Sequence, residues 1–338
     1  MNTISRRERV IKALEHKDTD IVPYNIELTQ QAAQNLEKYT GEPAYLDDKG
    51  LHLHPYQYWG WPTEHREGSE IFLDDFGVSW NRSGADKDIG VIDHPIISEP
   101  DIRLFKEPYL NEKRFREEIE RHIATAEDKF LVAGIGFSMF ERLWSYCGME
   151  NALIYMITDP GFVDELLDKI CDFNIRIINI LNEYPVDGIY FGDDWGQQKG
   201  LIMGPELWRR FIRPKIKSMY DAAKRKNKFV MQHSCGDISL ILPDLIDIGL
   251  DCYQTFQPEI YDVDRIKAEY GKDLSFWGGI STQRLLPFAS PEQVRETTRS
   301  LMERLSISGG YIAAPTHAIP SDVPAKNILA MLDVFMGQ

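Results

Sequence analysis

The chain has 338 residues, 43% hydrophobic and 27% charged, which is enough apolar material for a substantial core. Its 38 Lys and Arg against 53 Asp and Glu give a formal charge of −15, which opposes the cationic footprint that nucleic-acid binding needs. No run approaches the roughly 18 apolar residues of a spanning helix, and the N-terminal MNTISRRERV carries Arg and Glu where a signal peptide needs an apolar stretch. Cys147, Cys171, Cys235 and Cys252 are too scattered for a disulfide framework. The expectation is a cytoplasmic protein with reduced thiols, acting on neither membranes nor nucleic acids.

Ser5-Arg6-Arg7-Glu8 has capping-box spacing, and Val10, Ile11 and Leu14 follow at helical intervals, so a helix opens here and runs to about His16. Ile21 to Ile26 reads as a short strand ending at Glu27, followed by a polar helix that stops at Gly41. Residues 44–105 read as an elaborated excursion, rich in aromatics at Tyr56–Trp61 and alternating over Phe72–Trp80, with a small hairpin. From about residue 112 the rhythm is regular. Amphipathic helices over 112–127, 148–157 and 160–183 alternate with short apolar runs at Phe130–Gly136, Gly188–Gly192, Phe229–His233, Leu250–Thr255, Leu274–Gly278 and Tyr311–Ala314. Strands alternating with helices imply parallel pairing through crossovers. Seven or eight such units predict an α/β fold, a distorted (β/α)₈ TIM-type barrel with an N-terminal helical and aromatic excursion, as a single domain over 1–338. A doubly wound sheet is the alternative, and no G-x-G-x-x-G turn follows the first strand to support it.

In a parallel barrel the active site is built where strands end. Those positions hold Glu27, Ser138 with Glu141, Asp193 with Asp194, His233 with Cys235, Gln254 or Gln257, Ser281 with Gln283, and His317. His233 and Cys235 lie two apart on an extended chain and so face one side, and Gly236 lets the chain turn away. Imidazole and thiolate suit zinc, and a third ligand from another strand end, His317, would leave a position open for substrate. Taken singly, His233 beside a small buried Cys, or His317 between two prolines, needs no metal to explain it. Asp193 and Asp194 are adjacent and point apart, so one can face the site while the other caps a turn. Glu27 fits a general acid, a metal ligand or a rim charge. Asp74-Asp75 reads as a surface pair, and the aromatics of Tyr56–Trp61 either roof a pocket or pack the excursion on the barrel.

Three segments resemble the uroporphyrinogen decarboxylase superfamily: Ser5–Val10 with Asp20-Ile21-Val22-Pro23, Asp75–Trp80, and His317-x-Ile319-Pro320 continuing to Val323-Pro324 and Asn327-Ile328. The resemblance implies a distorted (β/α)₈ barrel and two possible chemistries. The decarboxylases carry an arginine-containing segment after the first strand, where this chain has Tyr24-Asn25-Ile26-Glu27-Leu28-Thr29. The cobamide-dependent methyltransferases resemble it at His233-x-Cys235-Gly236, which in them holds zinc together with a later Cys; here His317 stands at that later position. A two-His, one-Cys set is a harder Lewis acid, better suited to polarising an oxygen than to making a thiolate.

The resulting expectation is a zinc-dependent methyltransferase moving a methyl group between a small O- or N-methylated compound and a corrinoid protein. His233, Cys235 and His317 would hold the metal, and Glu27 or Asp194 would give a proton or complete the coordination. No D-x-H-x-x-G corrinoid motif occurs in the chain, so the resemblance places the corrinoid on a partner, and it implies a possible homodimer. A porphyrinogen decarboxylase acting through Asp75 and a non-catalytic ligand-binding barrel are the alternatives.

Overall fold

A computed structural model describes residues 4–47, 49–65, 68–83 and 90–338. Seven strands form one parallel sheet in chain order. They are β1 (Leu53–Tyr58), β2 (Phe130–Ile135), β3 (Gly188–Gly192), β4 (Phe229–His233), β5 (Cys252–Thr255), β6 (Ser275–Ile280) and β7 (Tyr311–Pro315). Each pairs in parallel with the next, and helices such as Pro160–Leu181 and Arg213–Lys224 cover the outside. Six of these strands stand within two residues of the predicted runs.

The N-terminal third departs from expectation. Residues 21–26 form no ladder; the segment makes isolated parallel bridges, Tyr24 to Ala313 and Leu28 to Ile319. On one flank Ala313 N donates to Pro23 O (2.8 Å) and Asn25 N to Ala313 O (3.0 Å), and on the other His52 N donates to Tyr24 O (3.0 Å). It therefore occupies the eighth position between β7 and β1 and closes the curled sheet. Pro23 has no N–H to give, which limits regular pairing there. The predicted excursion, in turn, contains β1, in register from Leu53 opposite Phe130 to Tyr58 opposite Ile135. Its remainder is a four-stranded antiparallel sheet of Pro62–His65, Ile71–Asp74, Ser79–Asn81 and Val91–His94, where a hairpin was expected.

Inward side chains fill the lower barrel. Leu53, Phe130, Val132, Tyr190, Met231, Cys252, Trp277, Ile312 and Ala314 form one buried cluster with Val10 and Leu14. The last two come from α1 (Arg6–Leu14), which plugs the N-terminal end of the barrel behind the capping box of Ser5 and Glu8. With the bottom sealed, the open end is the carboxyl end of the strands. No helix among the described residues is long and apolar enough to cross a membrane.

Candidate functional site

Alternation along each strand decides which side chains reach the open end. On β4, Met231 is buried in the lower cluster, so His233 lies one layer higher and Cys235 follows it into the loop. On β3, Tyr190 points inward, Gly192 leaves space, and Asp194 comes next on the same side. On β5, Cys252 is followed by Gln254, which is 7% exposed. The loop after β7 brings in His317.

These residues converge. One ligand atom each from His233, Cys235 and His317 lies within 4.8 Å of the others, and the two imidazole centroids are 5.6 Å apart. His233 Nε2 is 3.6 Å from Cys235 Sγ and 3.3 Å from Asp194 Oδ1, while Asp194 Oδ1 also accepts from Cys235 N at 2.7 Å. The sequence-predicted trio and Asp194 are thus one cluster. Asp193 turns the other way: its carboxylate accepts from Phe140 N (2.9 Å) and Glu141 N (2.8 Å) and from the Trp195 indole, fixing the start of the helix Phe140–Cys147. Asp193 is structural, and Asp194 faces the site.

Of this cluster, His233, His317 and Asp194 line a cavity of about 510 Å³. Glu27, Glu141, Asp194 and Tyr190 share its wall, facing an aromatic side made by Trp59, Trp61, Phe72, Trp80 and Phe137. Phe137 stands edge-on to both Trp59 (centroids 5.5 Å, 69°) and Trp80 (5.2 Å, 67°), so three rings bound the cavity on different planes. Gly136 makes room for this, because a Cβ there would lie 2.3 Å from the Trp59 ring. Among the described residues, Arg82 is the one Arg or Lys on the wall, and its guanidinium lies 4.5 Å from the centre of the Phe72 ring.

Burial sets the proton affinities. It raises Glu27 above the ordinary carboxyl range, with His233 pulling the other way. Glu141 rises well above that range through burial and then the charges of Asp194 and Asp193. Burial would also raise Asp194, but the hydrogen bond and charge of His233, the Cys235 amide and the His317 charge bring it down. Burial pushes the Cys235 thiol up against the pull of His233. For His233, burial disfavours the charged form, yet Tyr190, Cys235 and the Asp194 hydrogen bond hold the proton well above its usual range. Burial thus draws Glu27 and Glu141 towards the protonated form, while the partners of Asp194 draw it towards the ionised one.

Asp74 and Asp75 are no surface pair. Asp74 is 3% exposed, and its carboxylate accepts from Phe76 N, Val78 N and the Trp80 indole, each at 2.9 Å. Asp75 accepts from Tyr58 OH at 2.7 Å and does not line the cavity. Tyr190, Phe137 and Arg82 were not anticipated. Tyr190 carried a signal, since it precedes Asp194 by four residues and so shares its face; the other two sit in loops or short strands that give none.

A family model for uroporphyrinogen decarboxylase (URO-D) matches residues 73–336. The chain belongs to that family. It is 24% identical over 183 residues to a methylated-thiol–coenzyme M methyltransferase of Methanosarcina mazei, covering 54% of this chain and 47% of that protein. It is 22% identical over 184 residues to a uroporphyrinogen decarboxylase of Pseudoalteromonas atlantica, covering 52% of this chain and 48% of the other. The matched regions span about half the length of these curated relatives. A solved methyltransferase from Methanosarcina mazei superposes with a TM-score of 0.72 over 98% of both chains at 16% identity, which shows a shared fold.

Proposed function

We propose that the protein is a zinc-dependent methyltransferase that moves a methyl group between a small O- or N-methylated compound and a separate corrinoid protein. The observation that carries this reading is the convergence of one thiol and two imidazoles within 4.8 Å beside an aromatic-walled cavity. That donor set fits zinc, and three protein ligands leave a position open, as a catalytic site requires. Bound by His233, Cys235 and His317, zinc would supply Lewis acidity to the oxygen or nitrogen that gives up the methyl group.

The chain's own residues account for the rest. Asp194 holds the Cys235 backbone N–H and, 3.3 Å from His233 Nε2, stands where it would complete the coordination beside that nitrogen. Glu27, whose proton affinity burial raises, would give a proton to the leaving atom from the cavity wall, and Glu141, raised further by burial and by Asp194 and Asp193, is a second carboxyl there. Trp59, Trp80 and Phe137 keep water from the methyl-bearing part of the substrate and hold it on their faces.

The decarboxylase reading fits less well. A substrate bearing several carboxylates needs several cationic partners, and the described wall offers Arg82. The test is elemental analysis of protein purified without chelator, beside Cys235→Ser and His317→Ala, together with methylation of cob(I)alamin by simple methyl ethers and methylamines. Near-stoichiometric zinc in the wild type, lost with activity in both variants, is the expected outcome. A wild-type protein that takes up no supplied zinc overturns the reading.

A further inference from the structure

Gln254, at the end of β5, is almost fully buried (7% exposed) and uses its side chain on three partners. Its Oε1 accepts from Tyr190 OH at 2.9 Å and contacts His233 Nδ1 closely. Its Nε2 donates to Thr316 O at 3.3 Å. The orientation of this amide is dictated by its partners. A backbone carbonyl only accepts, so Thr316 must face the NH₂ group, and the amide oxygen is left towards Tyr190 and His233. An amide oxygen also only accepts, so the imidazole nitrogen facing it carries the proton. His233 is therefore protonated on Nδ1, and Nε2 is the atom turned towards Cys235 Sγ and Asp194 Oδ1.

We infer that Gln254 is a positioning residue that fixes the His233 tautomer for metal ligation through Nε2 and, through Thr316, ties the strand end that carries His317 to the same amide. The inference rests on the zinc reading proposed above. It also has an electronic consequence. A ligating imidazole whose second nitrogen is bonded to a carboxylate becomes more basic and donates more charge to the metal. A neutral amide withholds that charge and keeps the metal a stronger Lewis acid, which suits an oxygen or nitrogen leaving atom.

The experiment measures zinc affinity by competition with a chromophoric chelator and records imidazole ¹⁵N spectra of the zinc-loaded protein, for the wild type, Gln254→Leu and Gln254→Glu. Thermal melts report whether each variant folds. The wild type is expected to show His233 bound through Nε2 with its proton on Nδ1. Gln254→Leu, which removes the acceptor, is expected to bind zinc about 10–100-fold more weakly. Gln254→Glu keeps an acceptor towards His233 but loses the donor to Thr316 O, so it is expected to retain the Nδ1 proton and to recover only part of the affinity. Ligation through Nδ1 in the wild type overturns the inference, and so does unchanged affinity in a folded Gln254→Leu protein. If the leucine variant does not fold, the wild-type and glutamate spectra decide. A wild type that binds no zinc at all removes the proposed function itself, which is a different result from zinc bound through the wrong nitrogen.

Discussion

Gly236 stands where two site loops touch. Its φ of +76° lies in the left-handed region, and a Cβ there would lie 2.3 Å from the backbone carbon of Gly196. The flexible end of a side chain could move aside, but backbone cannot, so Gly236→Ala must separate the loop after β3 from the loop after β4. Those loops carry Asp194 and Cys235. The expected outcome is a protein destabilised by roughly 1–3 kcal/mol and with weakened zinc uptake, checked by thermal melting and chelator competition. At this scale the sequence was informative where backbone geometry alone decides direction. His233 and Cys235 lie two apart and share a side, whereas adjacent Asp193 and Asp194 divide into a structural and a site carboxylate. It was silent on Phe137, whose φ of 52° at the end of β2 aims a ring into the cavity. No local residue pattern announces that conformation for a Phe.

Strands β2 to β7 were legible because a sheet covered on both faces reads as a continuous apolar run, and all six residues of Phe130–Ile135 are buried. β1 was not. Leu53 and Tyr58 are buried at its ends, the four residues between them are half-buried, and Pro55 interrupts them. Proline belongs on an edge strand, and β1 is the end of the laddered sheet, met on its other flank by the His52 N to Tyr24 O bond to the closing segment. His52 precedes it, 1% exposed, with Arg9 Nη1 2.9 Å from its Nε2. Burial first and Arg9 second lower its pKa to about 4 from an ordinary 6.5. The unfolded chain therefore takes up a proton between about pH 6.5 and pH 4 that the folded protein refuses, and stability falls as pH falls through that window. The loss attributable to His52 is about 3 kcal/mol at its limit. His52→Gln is expected to flatten the decline measured by denaturant titration between about pH 7 and pH 5; an unchanged slope would place the acid sensitivity elsewhere.

Across the whole molecule the two ends of the barrel have separate tasks. α1 and the lower cluster seal one end, and the carboxylates, thiol and imidazoles gather at the other, as parallel barrels build their sites. The order of strands made this polarity readable, since His233, Cys235, Asp194 and His317 all stand at or just past the carboxyl end of a strand. The aromatic side of the cavity was harder to read, because Phe72 and Trp80 come from an antiparallel sheet outside the strand–helix rhythm. The closure of the barrel is its least regular part: residues 22–28 are held by single bridges where other neighbours share a ladder. In hydrogen exchange, amides of Tyr24 to Leu28 are expected to lose protection before those of β2 to β6; equal protection would show a seam as firm as the staves. Glu27 sits on that seam and lines the cavity, so any loosening of the joint would shift one carboxyl of the wall while His233, anchored in a full ladder, stays in place.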